Sequence, residues 1–155
     1  MTPFILLANP HIPPCTLLSQ SAIDRFRERV PPQIVTIFDE AYFEFLDDPP
    51  YTLRYVRQDR HVIVLRTFSK IHGLASLRLG YGIAHPELIK VLQKTREPFN
   101  VNGVVQAGAI ASLADEAHQP ETTPVPDEGR PSLGRQFAPP EPPSGPAGAT
   151  CAPGR

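Results

Sequence analysis

Lys70 and Arg78 stand eight residues apart in the run Arg66-Thr67-Phe68-Ser69-Lys70-Ile71-His72-Gly73-Leu74-Ala75-Ser76-Leu77-Arg78-Leu79-Gly80-Tyr81-Gly82, with Asp39 and Tyr42 upstream in Phe38-Asp39-Glu40-Ala41-Tyr42. A lysine amine condenses with an aldehyde to a Schiff base, and a carboxylate keeps a pyridine nitrogen protonated. A phenol meets a ring hydroxyl, and a guanidinium with nearby hydroxyls grips a phosphate. Those are the needs of a pyridoxal 5'-phosphate site, and each finds a residue here. Singly, each residue has a plainer explanation: a lysine is usually a solvated surface cation, an aspartate after a strand a turn or cap residue, an arginine half of a weak surface ion pair. The signal is their joint occurrence in one ordered stretch.

The elements that must carry these side chains can be read from the same chain. His61 to Phe68 is a β-branched, apolar run of strand length that ends where Ser69 and Lys70 begin. Ile34 to Phe38 is a second apolar run, continuous as in a strand covered on both faces, and it delivers Asp39 at its C-terminal end. Ligands of parallel α/β sheets collect at such strand ends. Phe4 to Ala8 reads as another strand, and Leu79 to Ala84 as one whose glycines admit close backbone approach. Helices are expected over Gln20 to Arg29, capped by Ser19 or Ser21, over Tyr51 to Gln58, and from Pro86 to about Arg96. Val104 to Ala117 is a small-residue, alanine-rich helix expected to be buried against a neighbouring element or a partner chain. The outcome is an α/β layer of about four strands.

From about Phe4 to about Glu116 the chain resembles the central part of the fold-type I, pyridoxal-phosphate-dependent aminotransferases, and within them most closely the histidinol-phosphate aminotransferases. The phrases Asp39-Glu40-Ala41-Tyr42-Phe43-Glu44-Phe45, Arg66-Thr67-Phe68-Ser69-Lys70, Leu77-Arg78-Leu79-Gly80-Tyr81 and Glu97-Pro98-Phe99-Asn100-Val101-Asn102 carry the resemblance. It implies a fragment of that fold's large domain, with a mostly parallel sheet flanked by helices. It also implies Lys70 as the Schiff-base lysine, Asp39 at the pyridine nitrogen, Tyr42 at the ring hydroxyl, and Thr67, Ser69 and Arg78 on the phosphate. The activity implied is transamination between a small-molecule amino donor and a 2-oxo acid acceptor, for this branch histidinol phosphate and 2-oxoglutarate in histidine biosynthesis, by a homodimer. A threonine-phosphate decarboxylase shares the cofactor residues and is the alternative within the same class.

Two departures from the family's pattern bear on this. Where relatives carry a second asparagine that also bonds the ring hydroxyl, this chain has Ile12, which donates nothing, so Tyr42 acts alone there; Pro14 and Cys15 replace the residues of the tight turn that follows. Family members also run to about twice this length or more. The chain is therefore expected to lack the upstream phosphate-binding turn, the aromatic stacked on the cofactor, and the downstream small domain, leaving it marginally stable by itself.

Residues 1–118 are expected to form the partial large domain, and 119–155 a tail of another kind. That tail holds ten of the 20 prolines and almost no large apolar residue beyond Leu133 and Phe137. Such a composition cannot offset its ordering entropy, so the tail is expected to be disordered. Its Ala138-Pro139-Pro140-Glu141-Pro142-Pro143 run favours polyproline II, which leaves a non-catalytic remnant with a proline-rich interaction tail as a second class of function. The abrupt change after His118 fits a shifted reading frame better than a selected tail. A formal net charge of -1 from 15 basic and 16 acidic residues points to no nucleic acid and no anionic membrane. No apolar run reaches a membrane span, and cytoplasmic residence is the default expectation. Cys15, Cys151 and the five histidines lack the spacing of a metal site.

Overall fold

The structure is a computed structural model that describes residues 3–12, 16–58, 61–115 and 117. Four strands, β1 (Phe4–Ala8), β2 (Val35–Asp39), β3 (Val62–Thr67) and β4 (Gly80–Ala84), form one sheet in the order β1-β2-β3-β4. The first three run parallel, and β4 is antiparallel to β3. Helices α1 (Gln20–Arg29) and α2 (Leu53–Gln58) make the crossovers between the parallel strands. No such helix joins β3 to β4; the chain turns back through residues 68–79, and that reversal sets the antiparallel pairing. Helices α3 (Pro86–Gln93) and α4 (Gly103–Ala114) follow. The mostly parallel sheet with flanking helices is the architecture the sequence predicts.

Register explains where the core lies. Leu7 pairs with Phe38, Phe38 with Val64 and Val64 with Ile83, so these side chains share one face. That face packs under Ile23 of α1 and Tyr55 and Val56 of α2. Ile23, Phe38, Val62 and Val64 are fully enclosed, each such side chain contributing about 1.5–3 kcal/mol relative to exposure. The opposite face carries Leu6, Ile37 and Ile63 in register, and next along it Ala8, Asp39, Leu65 and Gly82. Here the expectation for β2 needs correction. Thr36 and Phe38 are buried but Val35, Ile37 and Asp39 only half-buried, because the crossover helices cover a single face.

Element ends follow local chemistry. The Ser19 hydroxyl accepts from Ala22 N and opens α1, and Asn102 accepts from Val105 N at 3.0 Å to open α4. Pro86 occupies the first turn of α3 behind a His85 cap. Helix α3 stops three residues short of the predicted Arg96, since Lys94 and Thr95 N bond back only to Val91 and Leu92 O and the Thr95 hydroxyl donates to Leu92 O. Pro98 ahead also disfavours helix at Glu97. Helix α2 begins two residues after the predicted Tyr51, because Thr52 turns its side chain inward to Glu40.

The prediction for α4 is met in part. Val105 and Ala109 are buried, whereas Val104, Ile110 and Leu113 are exposed. No helix among the described residues is long and apolar enough to cross a membrane. The proline-rich 119–155 segment, with Pro14 and Cys15, lies outside the described residues.

Candidate active site

Asp39 is the last residue of β2 and Thr67 the last of β3, so two neighbouring parallel strands deliver polar side chains at the same sheet edge. One Asp39 carboxylate oxygen accepts from Ala41 N at 3.1 Å, which turns the chain away from the sheet toward Tyr42. Thr67 Oγ1 accepts from Ser69 N at 3.0 Å and donates to Leu79 O at 3.4 Å, pinching together both ends of the loop that follows β3. Inside that loop Gly73 adopts φ 67°, and its N–H donates to Lys70 O at 2.9 Å. Phe68 and Ile71 are buried on either side of Ser69 and Lys70, anchoring the loop while the lysine side chain projects outward.

The side chains predicted from sequence converge. A cavity of about 590 Å³ is lined by Asp39, Arg66, Thr67, Ser69, Lys70 and Arg78, and from β4 by Gly80, Tyr81 and Gly82. Tyr42 stands beside it, its ring face under the Lys70 ammonium at 4.7 Å. Arg78 reaches the cavity from a left-handed backbone, φ 53° and ψ 46°, uncommon for a residue with a side chain. Its Nη1 donates to Ala75 O at 2.7 Å. Gly80 lies so close to β3 that a Cβ there would meet Arg66 O at 2.9 Å, the close approach the sequence suggested. At the end of β1, buried Asn9 accepts from Leu18 N at 2.8 Å. Beyond it His11 and Thr16 exchange backbone hydrogen bonds and close the loop that carries Ile12.

Sequence reasoning missed the ion pair that joins the cavity wall at Arg66 to the interior. Glu40, next to Asp39, is buried, and its carboxylate accepts from Thr52 Oγ1 and from Arg66 Nε and Nη2 at 3.0 and 2.9 Å. Burial raises the Glu40 pKa above the ordinary glutamate value, with the Thr52 and Arg66 hydrogen bonds and the Arg66 charge pulling the other way. Burial likewise raises Glu44. A charged residue inside an apolar strand, Arg66 in Val62-Ile63-Val64-Leu65-Arg66-Thr67, was the available signal, because such a charge requires a buried partner. His72, expected to be an ordinary polar residue, is instead a buried member of the loop. Its ring centroid lies 4.9 Å from that of Phe68, and its Nδ1 is 2.8 Å from Ser112 Oγ on α4.

An amine, a carboxylate, two hydroxyls and the side chains of Arg66, Arg78 and Tyr81 thus line a single cavity at the C-terminal end of a largely parallel sheet, with the Tyr42 phenol beside it. That donor set fits an anionic, aldehyde-bearing pyridine. Among the described residues no cluster of His, Cys, Asp and Glu is arranged to hold a metal ion.

An α/β sheet with polar residues gathered at its strand ends defines the broad class, that of ligand-binding open-sheet proteins. Residues 1–124 match the model of the aminotransferase class I and II family, and the chain belongs to that family. It is 47% identical over 139 residues to a histidinol-phosphate aminotransferase of Moorella thermoacetica, covering 88% of this chain and 36% of that relative. A histidinol-phosphate aminotransferase of Akkermansia muciniphila is 46% identical over 128 residues, 83% of this chain and 35% of the relative. Among solved structures, the histidinol-phosphate aminotransferase of Sinorhizobium meliloti in complex with pyridoxal-5'-phosphate matches with a TM-score of 0.80 and 32% identity, over 88% of this chain and 37% of that one. The chain thus spans little more than a third of the length of these relatives.

Proposed function

We propose that this chain carries the cofactor-holding part of a pyridoxal-phosphate-dependent transaminase that takes histidinol phosphate as amino donor and a 2-oxo acid, 2-oxoglutarate, as acceptor. The observation that carries the reading is the Lys70 amine over the Tyr42 ring, beside a cavity shared by Asp39, Thr67, Ser69, Lys70 and Arg78. The similarity to histidinol-phosphate aminotransferases supports the choice of substrate. The other two thirds of such an enzyme, and a second copy of it in a homodimer, complete the site in this reading.

Lys70 would hold the cofactor's aldehyde carbon through its amine. The Asp39 carboxylate would keep a proton on the pyridine nitrogen, and the Tyr42 hydroxyl would donate to the ring oxygen. Thr67, Ser69 and Arg78 would hold the phosphate, two hydroxyls and a guanidinium against an anion. When bound, pyridoxal phosphate supplies an electron sink for the charge left on the substrate's α-carbon as its proton departs. Lys70 Nζ, as a free amine, would be the base that moves that proton between the substrate's α-carbon and the cofactor's aldehyde carbon. In its ammonium form Lys70 lies over the face of the Tyr42 ring, 4.7 Å from the centroid, which keeps it beside the cavity.

The test is an absorbance titration of the chain with pyridoxal phosphate. A new band above the ultraviolet absorption of the protein, abolished in Lys70→Ala, is the expected result. A chain that gives no such band, or an unchanged band in Lys70→Ala, overturns the reading.

A further inference from the structure

Three of the residues assigned to the cofactor have, as an immediate chain neighbour, a member of a single cluster built on the buried Glu40. Asp39 is followed by Glu40, Tyr42 by Phe43, and Thr67 is preceded by Arg66. The Arg66 guanidinium carbon lies 3.7 Å above the centroid of the Phe43 ring while its Nε and Nη2 donate to Glu40. Glu40 also accepts from Thr52 at the start of α2, so its carboxylate is held from both sides. Its N–H donates to Leu65 O at 2.9 Å, which continues the β2–β3 pairing one residue past the strand end.

We propose that Arg66 is a positioning residue, which fixes Asp39, Tyr42 and Thr67 relative to one another by donating from Nε and Nη2 to Glu40 Oε2 while its guanidinium lies over the Phe43 ring. A buried ion pair is a poor source of net stability, because desolvation offsets most of the attraction. What it does supply is geometry. Two guanidinium N–H groups converge on Glu40 Oε2 while Thr52 Oγ1 donates to Oε1, so both carboxylate oxygens are held, and the contact with the Phe43 ring adds a further constraint. Because the clasp residues alternate along the chain with the site residues, fixing one set aims the other into the cavity. Lysine in place of Arg66 would keep the charge and lose both constraints.

The geometric claim stands apart from any cofactor, and only its consequence for cofactor binding rests on the reading above. The experiment is amide hydrogen exchange on the full chain without added ligand, comparing the unsubstituted protein with Arg66→Lys and Arg66→Met. Exchange within residues 39–43 and 66–70 is expected to accelerate by about tenfold in Arg66→Met and by less in Arg66→Lys, with helix α1 unchanged. Unchanged exchange in both segments overturns the proposal, as does acceleration that includes α1 equally, which would make Arg66 a general stabiliser. An Arg66→Lys chain that matches the unsubstituted protein also overturns it. A pyridoxal phosphate titration of the same proteins separates the two claims. Absence of any band in the unsubstituted chain counts against the transaminase reading alone, and the exchange result stands by itself.

Discussion

The ammonium of Lys70 lies 4.7 Å from the centroid of the Tyr42 ring, so the phenol offers the amine a π face and keeps its hydroxyl for another partner. Such a contact at an exposed site contributes about 0.5–1 kcal/mol. The two parts of the tyrosine can therefore be separated. Tyr42→Phe retains the face and removes the hydroxyl, and it is expected to weaken pyridoxal phosphate binding by roughly fivefold to tenfold, the loss of one hydrogen bond. Tyr42→Leu removes both. The ring face holds the ammonium of the unbound chain, which condensation with the aldehyde consumes, so Tyr42→Leu is expected to bind about two- to fivefold more tightly than Tyr42→Phe. Dissociation constants from absorbance titration decide the matter; equal values for the two variants would deny the ring face any part.

Gly80 is required by the backbone of β3. A methyl group there would stand 2.9 Å from Arg66 O, and a carbonyl inside a paired strand has nowhere to move. Gly80→Ala is expected to destabilise the fold by about 1–3 kcal/mol, the usual result of forced overpacking. Gly82→Ala is the control, since its Cβ would meet only side-chain ends, Leu65 Cδ2 at 3.4 Å and Ile63 Cγ2 at 3.8 Å. Urea midpoints of the two variants should differ clearly, Gly80→Ala being the lower.

Strands and most helices were legible because each has a local cause that the chain displays. Val62 to Thr67 is β-branched and apolar, Ser19 caps α1, and Pro86 opens α3. The cavity-lining residues were legible as well, since Asp39 and Thr67 close their strands and Ser69, Lys70 and Arg78 lie in the loop beyond. What was not legible depends on distance in sequence. The Glu40–Arg66 pair spans 26 residues and His72–Ser112 spans 40, and no local pattern matches such partners. The antiparallel turn of β4 was equally hidden, because strand direction follows from the path of the connection and not from the composition of the strand.

Burial of Glu40 and Glu44 makes stability depend on pH in an unusual direction for carboxylates. Desolvation is the largest cause for both, and it raises each pKa in the folded chain. A raised folded pKa means that the folded state binds the proton more tightly than the unfolded state. The contribution to stability is therefore fully present below the unfolded glutamate value of about 4.3 and is lost as pH rises through the folded value. Glu44→Gln, which removes one of these charges and leaves the Glu40–Arg66 pair in place, is expected to raise the melting temperature at pH 7. The gap to the unsubstituted chain should narrow toward pH 4.5. A gap that is constant across this range would show that burial of the Glu44 charge has no cost.

The His72–Ser112 hydrogen bond is a polar fastening between α4 and the loop that presents Lys70. Around it the contact is made by small or apolar groups. Val105 and Ala109 are buried, and Gly108 lies so near Leu77 that a Cβ would meet its Cδ1 at 3.1 Å. Ser112→Ala withdraws one partner from a buried imidazole, which costs about 1–3 kcal/mol when the group left behind is out of water. Ser112→Thr keeps the hydroxyl at the same branch point and should stay within about 0.5 kcal/mol of the unsubstituted chain. Chemical denaturation followed by circular dichroism measures both. The loop should also respond, because Phe68 rests on the His72 ring and Lys70 lies two residues from each of them. Ser112→Ala is accordingly expected to speed amide exchange at residues 68–74 more than in α1, and equal exchange in the two regions would mean that α4 does not steady the lysine loop.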